Sequence, residues 1–419
     1  MIAKLKPKSD FAKNVITLMT GTTVAQAIPI AISPILTRIY TPKDFGILAL
    51  FVSITAIFST IATARYEMAI MLPKKDEDAI NIVALSTLIS VAISLIMLII
   101  IVAFNSYFVE LLGNKEIGVW LYFIPITVLF FGLFNTLTYY NTRKKFYKDI
   151  SKATVLKSFT LASIQLIIGF LKGGATGLIS GQIFSQFVAN GKLLKNVVAN
   201  KELLKNINIS KIKTLAKEYI SFPKYSMPSA IIHSLGFDFV NILISSLFSI
   251  ATLGFYSFVQ KLLGMPTALI GTSISQVFFQ EATEEKHKSG NSLRTFKATV
   301  KKLLLIAIPS FGILFFSVED LFKFIFGQEW AIAGVYAKIV IPMFFFNFVF
   351  VSVSTIYDIY DALKIELIWK IAMFAGTFII LYLFKDSGFI SFLTALTIFS
   401  SIMYIITFII AYNLSKGKE

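Results

Sequence analysis

The hydrophobic pattern of the chain consists of long apolar runs separated by short polar segments. A helix that crosses a bilayer needs about 20 apolar residues, and twelve runs of roughly that length occur. These runs cover residues 15–39, 45–64, 79–104, 117–141, 153–171, 174–191, 225–248, 253–280, 298–317, 332–356, 367–384 and 388–413. The pattern therefore predicts an all-α membrane protein with about twelve transmembrane helices.

Basic residues are distributed between these runs in an alternating way. Cytoplasmic loops of membrane proteins collect Lys and Arg. With a cytoplasmic N-terminus, 31 of the 39 Lys and Arg residues fall in cytoplasmic segments and seven fall outside, while Lys261 lies within a run. The distribution predicts an even number of spans with both the N and C termini in the cytoplasm. No small-residue cleavage site follows the first run, so we expect that run to be retained as a span.

Composition agrees with a bilayer environment. Hydrophobic residues make up 56% of the chain and charged residues 15%, whereas soluble domains carry about 25% charged residues. Cytoplasmic loops account for the net charge of +16, so we expect no nucleic-acid partner. The chain has no Cys and only two His, and it lacks a phosphate-binding Gly-rich loop with Lys. We expect no disulfide, no metal site, no cofactor and no catalytic residues, because the residue types that such sites require are missing.

A polar, Lys-rich stretch divides the twelve runs into six and six. We predict an N-terminal lobe at 1–191, a basic cytoplasmic linker at 192–224 and a C-terminal lobe at 225–419. A weak internal repeat supports this division, because the segment from Tyr40 to Gly46 lies 208 residues before the segment from Phe248 to Gly254. Each segment is the short outside turn after the first run of its half. Two parallel repeats of six helices around a central cavity are a common transporter plan.

Sequence motifs near the N-terminus carry a family resemblance. The stretch from Phe11 to Ile30 runs into Ser33-Pro-Ile-Leu-Thr-Arg-Ile-Tyr-Thr-Pro-Lys-Asp-Phe-Gly46, and Arg65-Tyr-Glu-Met-Ala-Ile-Met-Leu-Pro73 follows. These motifs resemble the bacterial Wzx-type lipid-linked oligosaccharide flippases of the multidrug/oligosaccharidyl-lipid/polysaccharide exporter superfamily. The sharp match covers about the first 75 residues. The remainder agrees in span number, basic linker and two-lobe plan.

The resemblance implies both an architecture and a function. It implies two six-helix lobes around a central, often cationic cavity. It also implies that undecaprenyl-pyrophosphate-linked oligosaccharide moves from the cytoplasmic to the outer leaflet of the bacterial inner membrane, for O-antigen (lipopolysaccharide) or capsule assembly. Expected partners are this substrate, membrane lipids and other polysaccharide-assembly membrane proteins. Transport could be coupled to H⁺ or Na⁺.

Ionisable residues within spans are costly and are therefore candidates for function. Lys261 and Asp238 lie at similar predicted depths near the middle of the membrane. Lys261 could bind the anionic pyrophosphate, or it could form a structural pair with Asp238. Asp238 could instead be the site of the coupling ion. His233, five residues before Asp238, is expected to form a hydrogen bond between helices.

Other candidates lie in the first two runs. Arg38 is either a phosphate-guiding residue at the outer mouth or an interfacial side chain that reaches the headgroups, and Gln26 is a cavity candidate. Arg65 and Glu67 at the inner end of the second run either gate the cytoplasmic mouth or anchor the helix.

Three prolines lie within predicted spans. Pro29, Pro34 and Pro266 each free a backbone carbonyl and bend a helix, so each is either a hinge or a fixed packing kink.

Two further functions compete with the flippase hypothesis. A cation-coupled multidrug exporter of the same superfamily would need cavity carboxylates, and Asp238 is the one clear acid in the middle of a predicted span. A membrane-embedded glycan polymerase or acyltransferase would need a large outside loop or clustered catalytic side chains. The longest predicted outside segments hold only about fifteen residues, which disfavours that class.

Overall fold

The computed structural model describes residues 10–171 and 173–417, and it divides into two compact units. Residues before position 10 and Lys172, which contribute to the predicted charge distribution, lie outside the described residues. Unit 1 comprises Met1–Gly254 and unit 2 comprises Phe255–Glu419. The predicted division at 191 and 224 remains a prediction.

Unit 1 is built from helices. They are α1 (Asp10–Ala31), α2 (Ser33–Ile39), α3 (Pro42–Ser59), α4 (Asp76–Leu111), α5 (Ile117–Leu121), α6 (Ile124–Arg143), α7 (Tyr147–Phe170), α8 (Ala175–Val198), α9 (Lys201–Leu204), α10 (Ile209–Glu218) and α11 (Met227–Leu247), with a 3-10 turn at Tyr66–Met71 and a π turn at Phe222–Ser226. Helix α12 (Ile250–Pro266) begins in unit 1 and continues into unit 2.

Unit 2 is also helical. After α12 it contains a π turn at Thr267–Gly271, then α13 (Thr272–Ser289), α14 (Leu293–Phe326), a 3-10 turn at Gln328–Trp330, α15 (Ala331–Val351), α16 (Ile356–Ile359), α17 (Leu363–Phe384) and α18 (Phe389–Ser415). Its interior is largely aromatic: the ring of Phe258 lies 4.7 Å from that of the fully buried Trp330 and 5.0 Å from that of Phe326.

Every predicted span is occupied by helix, so the prediction of an all-α membrane protein is confirmed. Ten helical segments among the described residues are long and apolar enough to cross a membrane. The two remaining predicted spans correspond to α6, with 20 residues, and α8, with 24 residues. Both are long enough for a span but carry more polar side chains.

The second apolar run begins where the local sequence favours a helix start. Thr41 precedes Pro42, which occupies the first turn of α3. The Thr41 hydroxyl accepts a hydrogen bond from the Asp44 N–H at 3.2 Å, and the Asp44 carboxylate accepts one from the Thr41 N–H at 2.9 Å. This reciprocal capping satisfies two N–H groups that the helix cannot pair internally.

The first predicted span is interrupted at Ile32, between α1 and α2. Pro34 has no N–H to donate to the Ile30 carbonyl, and the Ser33 hydroxyl donates to that carbonyl instead, at 2.7 Å. A neighbouring hydroxyl is one of the groups that make proline acceptable within a membrane helix. The helix is interrupted next to Pro34, whereas α1 continues through Pro29. The predicted bends and their role as hinges stay predictions.

The linker is folded against the rest of unit 1. Buried Leu193, Leu203 and Ile212 join the same apolar cluster as Ile70 and Ile80. The backbone that carries the linker lysines is therefore packed against the rest of unit 1.

A tyrosine hydroxyl links the linker helix α10 to the turn after α3. The Tyr66 hydroxyl donates to the Ala216 carbonyl of α10 at 2.7 Å, and burial raises the pKa of Tyr66. Tyr66 therefore stays protonated and able to donate at neutral pH.

Helices α3 and α12 approach closely at their first turns. A Cβ on Gly46 would overlap the Ile250 carbonyl, and a Cβ on Gly254 would overlap the Pro42 carbonyl. Gly46 corresponds to Gly254 and Pro42 to Ile250, each 208 residues apart, so the two contacts are equivalent under the repeat. This reciprocal contact is the arrangement that a twofold relation between the repeated segments would produce.

Candidate functional site

A polar stripe on α11 lines a cavity of about 550 Å³ in unit 1. The stripe consists of Ser226, directly before α11, and of Ser229, His233, Ser234 and Asp238 on α11, all of which line the cavity. Thr60 and Arg65, which follow α3, and Ala230 complete the lining.

The stripe extends far along a helical segment, Phe222–Leu247, that is long and apolar enough to cross a membrane. Twelve residues of helix separate Ser226 from Asp238, or about 18 Å along the axis. The hydrocarbon core is about 30 Å thick, so a crossing by this segment would place Asp238 within the core.

Side chains on α11 hold Asp238 and the helix in place. The Ser234 hydroxyl donates to the Asp238 carboxylate at 2.7 Å. One turn further along, the Asn241 amide donates to the buried Ser53 hydroxyl of α3 at 3.0 Å. The Asn241–Ser53 bond crosses between helices and therefore fixes the face that α11 turns toward the cavity.

Arg65 lies at the opposite end of the cavity in an unusual backbone conformation. Its φ is +65° and that of Ala64 is +48°, a region that non-glycine residues rarely adopt. The Arg65 guanidinium contacts the Ser226 hydroxyl at 3.5 Å and the Met68 sulfur at 3.2 Å. The tight turn after α3 thus directs Arg65 toward the start of α11.

Glu67 compensates part of the Arg65 charge. One Glu67 carboxylate oxygen lies 3.5 Å from Arg65 Nη1, and the other accepts a hydrogen bond from the Thr63 hydroxyl. Glu67 is only 2% exposed, whereas the Arg65 side chain is 29% exposed. Arg65 therefore offers guanidinium donors to the cavity, while Glu67 faces the interior.

The cavity carries charges of both signs. Arg65 supplies a cation, Asp238 a carboxylate, and Thr60 and the serines supply hydroxyls. Hydroxyls and charged groups on one wall can bind the many hydroxyls of a sugar together with a charged substituent. Among the described residues, no group of three or more His, Asp or Glu side chains is arranged to hold a metal ion. The cationic cavity between two lobes, which the resemblance implies, stays a prediction.

The remaining predicted residues lie in several places. Lys261 is exposed on α12 in unit 2, whereas Asp238 belongs to unit 1, and their pairing stays a prediction. Arg38 is exposed, and its guanidinium donates to the Pro34 carbonyl of its own helix at 3.0 Å. Gln26 is partly buried on α1.

Pro266 marks a change of helix type in unit 2. It ends α12, directly before the π turn at Thr267–Gly271. A wider turn follows it, as expected near a proline. A hinge role for Pro266 stays a prediction.

Lys157 is a candidate that the sequence analysis counted with the cytoplasmic residues. It lies ten residues after Tyr147 within α7, about 15 Å along the helix axis. Its ammonium group is 5.2 Å from the centre of the Phe131 ring and 5.0 Å from that of Phe134. The start of α7 at Tyr147, rather than at 153, places this cation deeper than predicted.

The polar stripe was not predicted as a whole, and only its members His233 and Asp238 were candidates. Its signal was the three- to five-residue spacing of Ser226, Ser229, His233 and Asp238. Such spacing within an apolar helix predicts a polar face turned away from lipid.

Comparison with known proteins gives a family and a fold. The family model described as "Polysaccharide biosynthesis protein" matches residues 35–334. No curated protein gives a significant match to the chain.

Solved structures resemble the chain over nearly its whole length. A structure of the lipid II flippase MurJ, in an inward closed conformation, matches with TM-score 0.71 at 14% identity, covering 96% of this chain and 89% of that one. An inward-facing multidrug resistance MATE family transporter of the MOP superfamily matches with TM-score 0.64 at 13% identity, covering 95% of each chain.

A third structure comes from a MOP superfamily transporter of Pyrococcus furiosus, whose binding pocket is described as having reverse polarity. It matches with TM-score 0.54 at 14% identity, covering 97% of this chain and 96% of that one. At these identities the likeness establishes the fold, and it confirms the all-α membrane fold predicted from the sequence.

Proposed function

The chain belongs to the polysaccharide biosynthesis protein family, and on that premise we propose that it is a lipid-linked oligosaccharide flippase. It carries undecaprenyl-pyrophosphate-linked oligosaccharide from the cytoplasmic to the outer leaflet of the bacterial inner membrane by alternating access. The product serves O-antigen or capsule assembly, and other polysaccharide-assembly membrane proteins are its neighbours.

The polar cavity of α11 is the observation that supports this proposal most. A glycolipid head group must lose much of its hydration on entering the membrane, and burying a polar group without a hydrogen-bond partner costs several kcal/mol. The hydroxyls of Ser226, Ser229 and Thr60 and the guanidinium of Arg65 supply such partners at membrane depth. The polyprenyl tail remains in lipid throughout.

Two lysines at membrane depth support an anionic substrate. Among the described residues, neither Lys157 nor Lys261 forms an ion pair within its own unit. A cation of this kind within a span is a default candidate for ligand binding. Each lysine can approach a pyrophosphate as a compact point charge.

The membrane potential favours this direction of transport. With the inside negative, moving anionic charge outward gains about 2.3 kcal/mol per charge per 100 mV. An H⁺ or Na⁺ that moves inward in exchange would add to this force, and Asp238, which accepts a hydrogen bond from the Ser234 hydroxyl at 2.7 Å, is its proposed site.

A flipping assay tests the proposal. Purified protein is reconstituted with fluorescent undecaprenyl-pyrophosphate-linked oligosaccharide, and outer-leaflet exposure is followed by an impermeant quencher. We expect Lys157→Met and Lys261→Met each to slow transfer by about tenfold, the loss of one charge-assisted contact.

Lys152→Met is the matched control, because Lys152 is exposed near the start of α7, and its rate should equal that of the unaltered protein. Transfer by the unaltered protein that is no faster than in protein-free vesicles would reject the flippase proposal. Export of amphiphilic cations from the same vesicles, lost in Asp238→Asn, would instead establish the multidrug exporter, which a single acid in the middle of a span disfavours.

A further inference from the structure

A second, chemically different groove lies in unit 2 between α14 and α18. It has a volume of about 710 Å³, within the range of ligand-binding clefts. Its lining consists of Phe296, Lys297, Val300, Lys301, Leu304, Leu305, Ile308, Pro309, Phe408 and Tyr412. All of these residues are apolar or aromatic except the two lysines.

The charged groups of the groove are gathered at one end. Lys297 and Lys301 are both exposed and lie one helical turn apart on α14. Across the groove, the Tyr412 ring has Lys297 Nζ 5.9 Å and Lys416 Nζ 4.4 Å from its centre. No carboxylate lines the groove, and none forms an ion pair with these lysines among the described residues.

The groove, measured from Lys297 at its charged end to Pro309, has about the length of one leaflet. Twelve residues separate Lys297 from Pro309, which corresponds to about 18 Å of helix. Half of a bilayer's hydrocarbon core is about 15 Å. Leu305 and Ile308, 67% and 59% exposed, lie on this stretch. The charge distribution of the chain assigns the lysine end to the cytoplasmic face.

We propose that this groove is a binding site for one anionic glycerophospholipid of the cytoplasmic leaflet. Its phosphate lies between Lys297 and Lys301, and an acyl chain runs along Leu304, Leu305 and Ile308. Charge complementarity selects this occupant, because a neutral or zwitterionic lipid would leave the lysine pair uncompensated. The site belongs to unit 2 alone and does not depend on the transported substrate.

A tryptophan reporter within the groove tests the proposal. Phe408→Trp is introduced into the full-length protein in detergent, and quenching by brominated phosphatidylglycerol is compared with quenching by brominated phosphatidylcholine. The same titration without the reporter corrects for the natural tryptophans. We expect phosphatidylglycerol to bind more tightly by about fivefold for each lysine, since each basic residue near an anionic headgroup contributes about 1 kcal/mol.

Lysine variants distinguish a specific phospholipid site from nonspecific boundary lipid. Lys297→Gln and Lys301→Gln should each reduce the preference for phosphatidylglycerol by about fivefold. Lys302→Gln should leave the preference unchanged, since Lys302 is equally exposed but does not line the groove.

Three outcomes would overturn the proposal. Equal quenching by the two lipids would identify boundary lipid, and unchanged preference in both lysine variants would remove the phosphate contact. Displacement of phosphatidylglycerol by a lower concentration of polyprenyl phosphate would assign the groove to the transported substrate.

Discussion

At the scale of single residues, Glu67 shows how the turn after α3 depends on a compensated charge. Its carboxylate is 2% exposed and is held by Arg65 and Thr63. Burying an ionised carboxylate is costly unless a partner offsets the lost hydration. Arg65 therefore has two effects, because it stabilises Glu67 and also presents donors to the cavity.

Removal of the Arg65 cation should show that the buried Glu67 carboxylate depends on it. We expect Arg65→Gln to lower the free energy of unfolding by about 2 kcal/mol, a modest value because Arg65 is partly exposed and solvent screens the pair. In the double variant Arg65→Gln/Glu67→Gln the buried carboxylate charge is also removed, so the protein should recover much of the lost unfolding free energy. Thermal unfolding of detergent-purified protein measures both. Strict additivity of the two single losses would contradict the coupling.

At the scale of elements, the crossing of α3 and α12 rests on two glycines. Gly46 and Gly254 each allow the partner helix to approach to a distance that a Cβ would prevent. Small residues permit such close helix packing in membranes. Since each glycine meets the carbonyl of the residue four positions before the other, the two positions form one contact.

Substitution at either glycine should break the same contact. We expect Gly46→Leu and Gly254→Leu each to reduce the unfolding free energy by about 2 kcal/mol or more, the usual cost of overpacking. The unfolding free energy of the double variant should be only slightly lower than that of the less stable single variant. Gly312→Leu is the control, because a Cβ there meets no heavy atom within 4 Å. Independent, additive losses at the two glycines would contradict a shared contact.

At the scale of the whole molecule, the positions of the membrane helices could be predicted from the sequence, whereas the cavity formed by tertiary packing could not. Span positions were predictable because every membrane helix must be apolar over its length. The cavity was not, because its lining joins α11 to Thr60 and Arg65, more than 160 residues away. Lys157 was misjudged because its depth depends on where α7 starts, and helix boundaries are poorly fixed by hydropathy.

The same limit leaves α6 and α8 as the most informative test of topology. Both are too polar to be identified as spans by composition, yet twelve crossings require them. Since the chain has no Cys, a single introduced Cys reports only its own position. Exposed Lys115, Lys148, Ser210 and Ser387 provide labelling sites on four connections.

Labelling of intact cells with an impermeant maleimide decides between the arrangements. With twelve crossings, Lys115→Cys and Ser387→Cys react from outside, whereas Lys148→Cys and Ser210→Cys react only after permeabilisation. Lys148 is decisive because it lies between α6 and α7. If neither α6 nor α8 crossed, Lys148→Cys would react from outside while the other three positions kept their pattern. Protection of Lys148→Cys in intact cells would therefore establish that a polar helix spans the bilayer here. Such a helix is tolerated because its polar side chains face other helices rather than lipid.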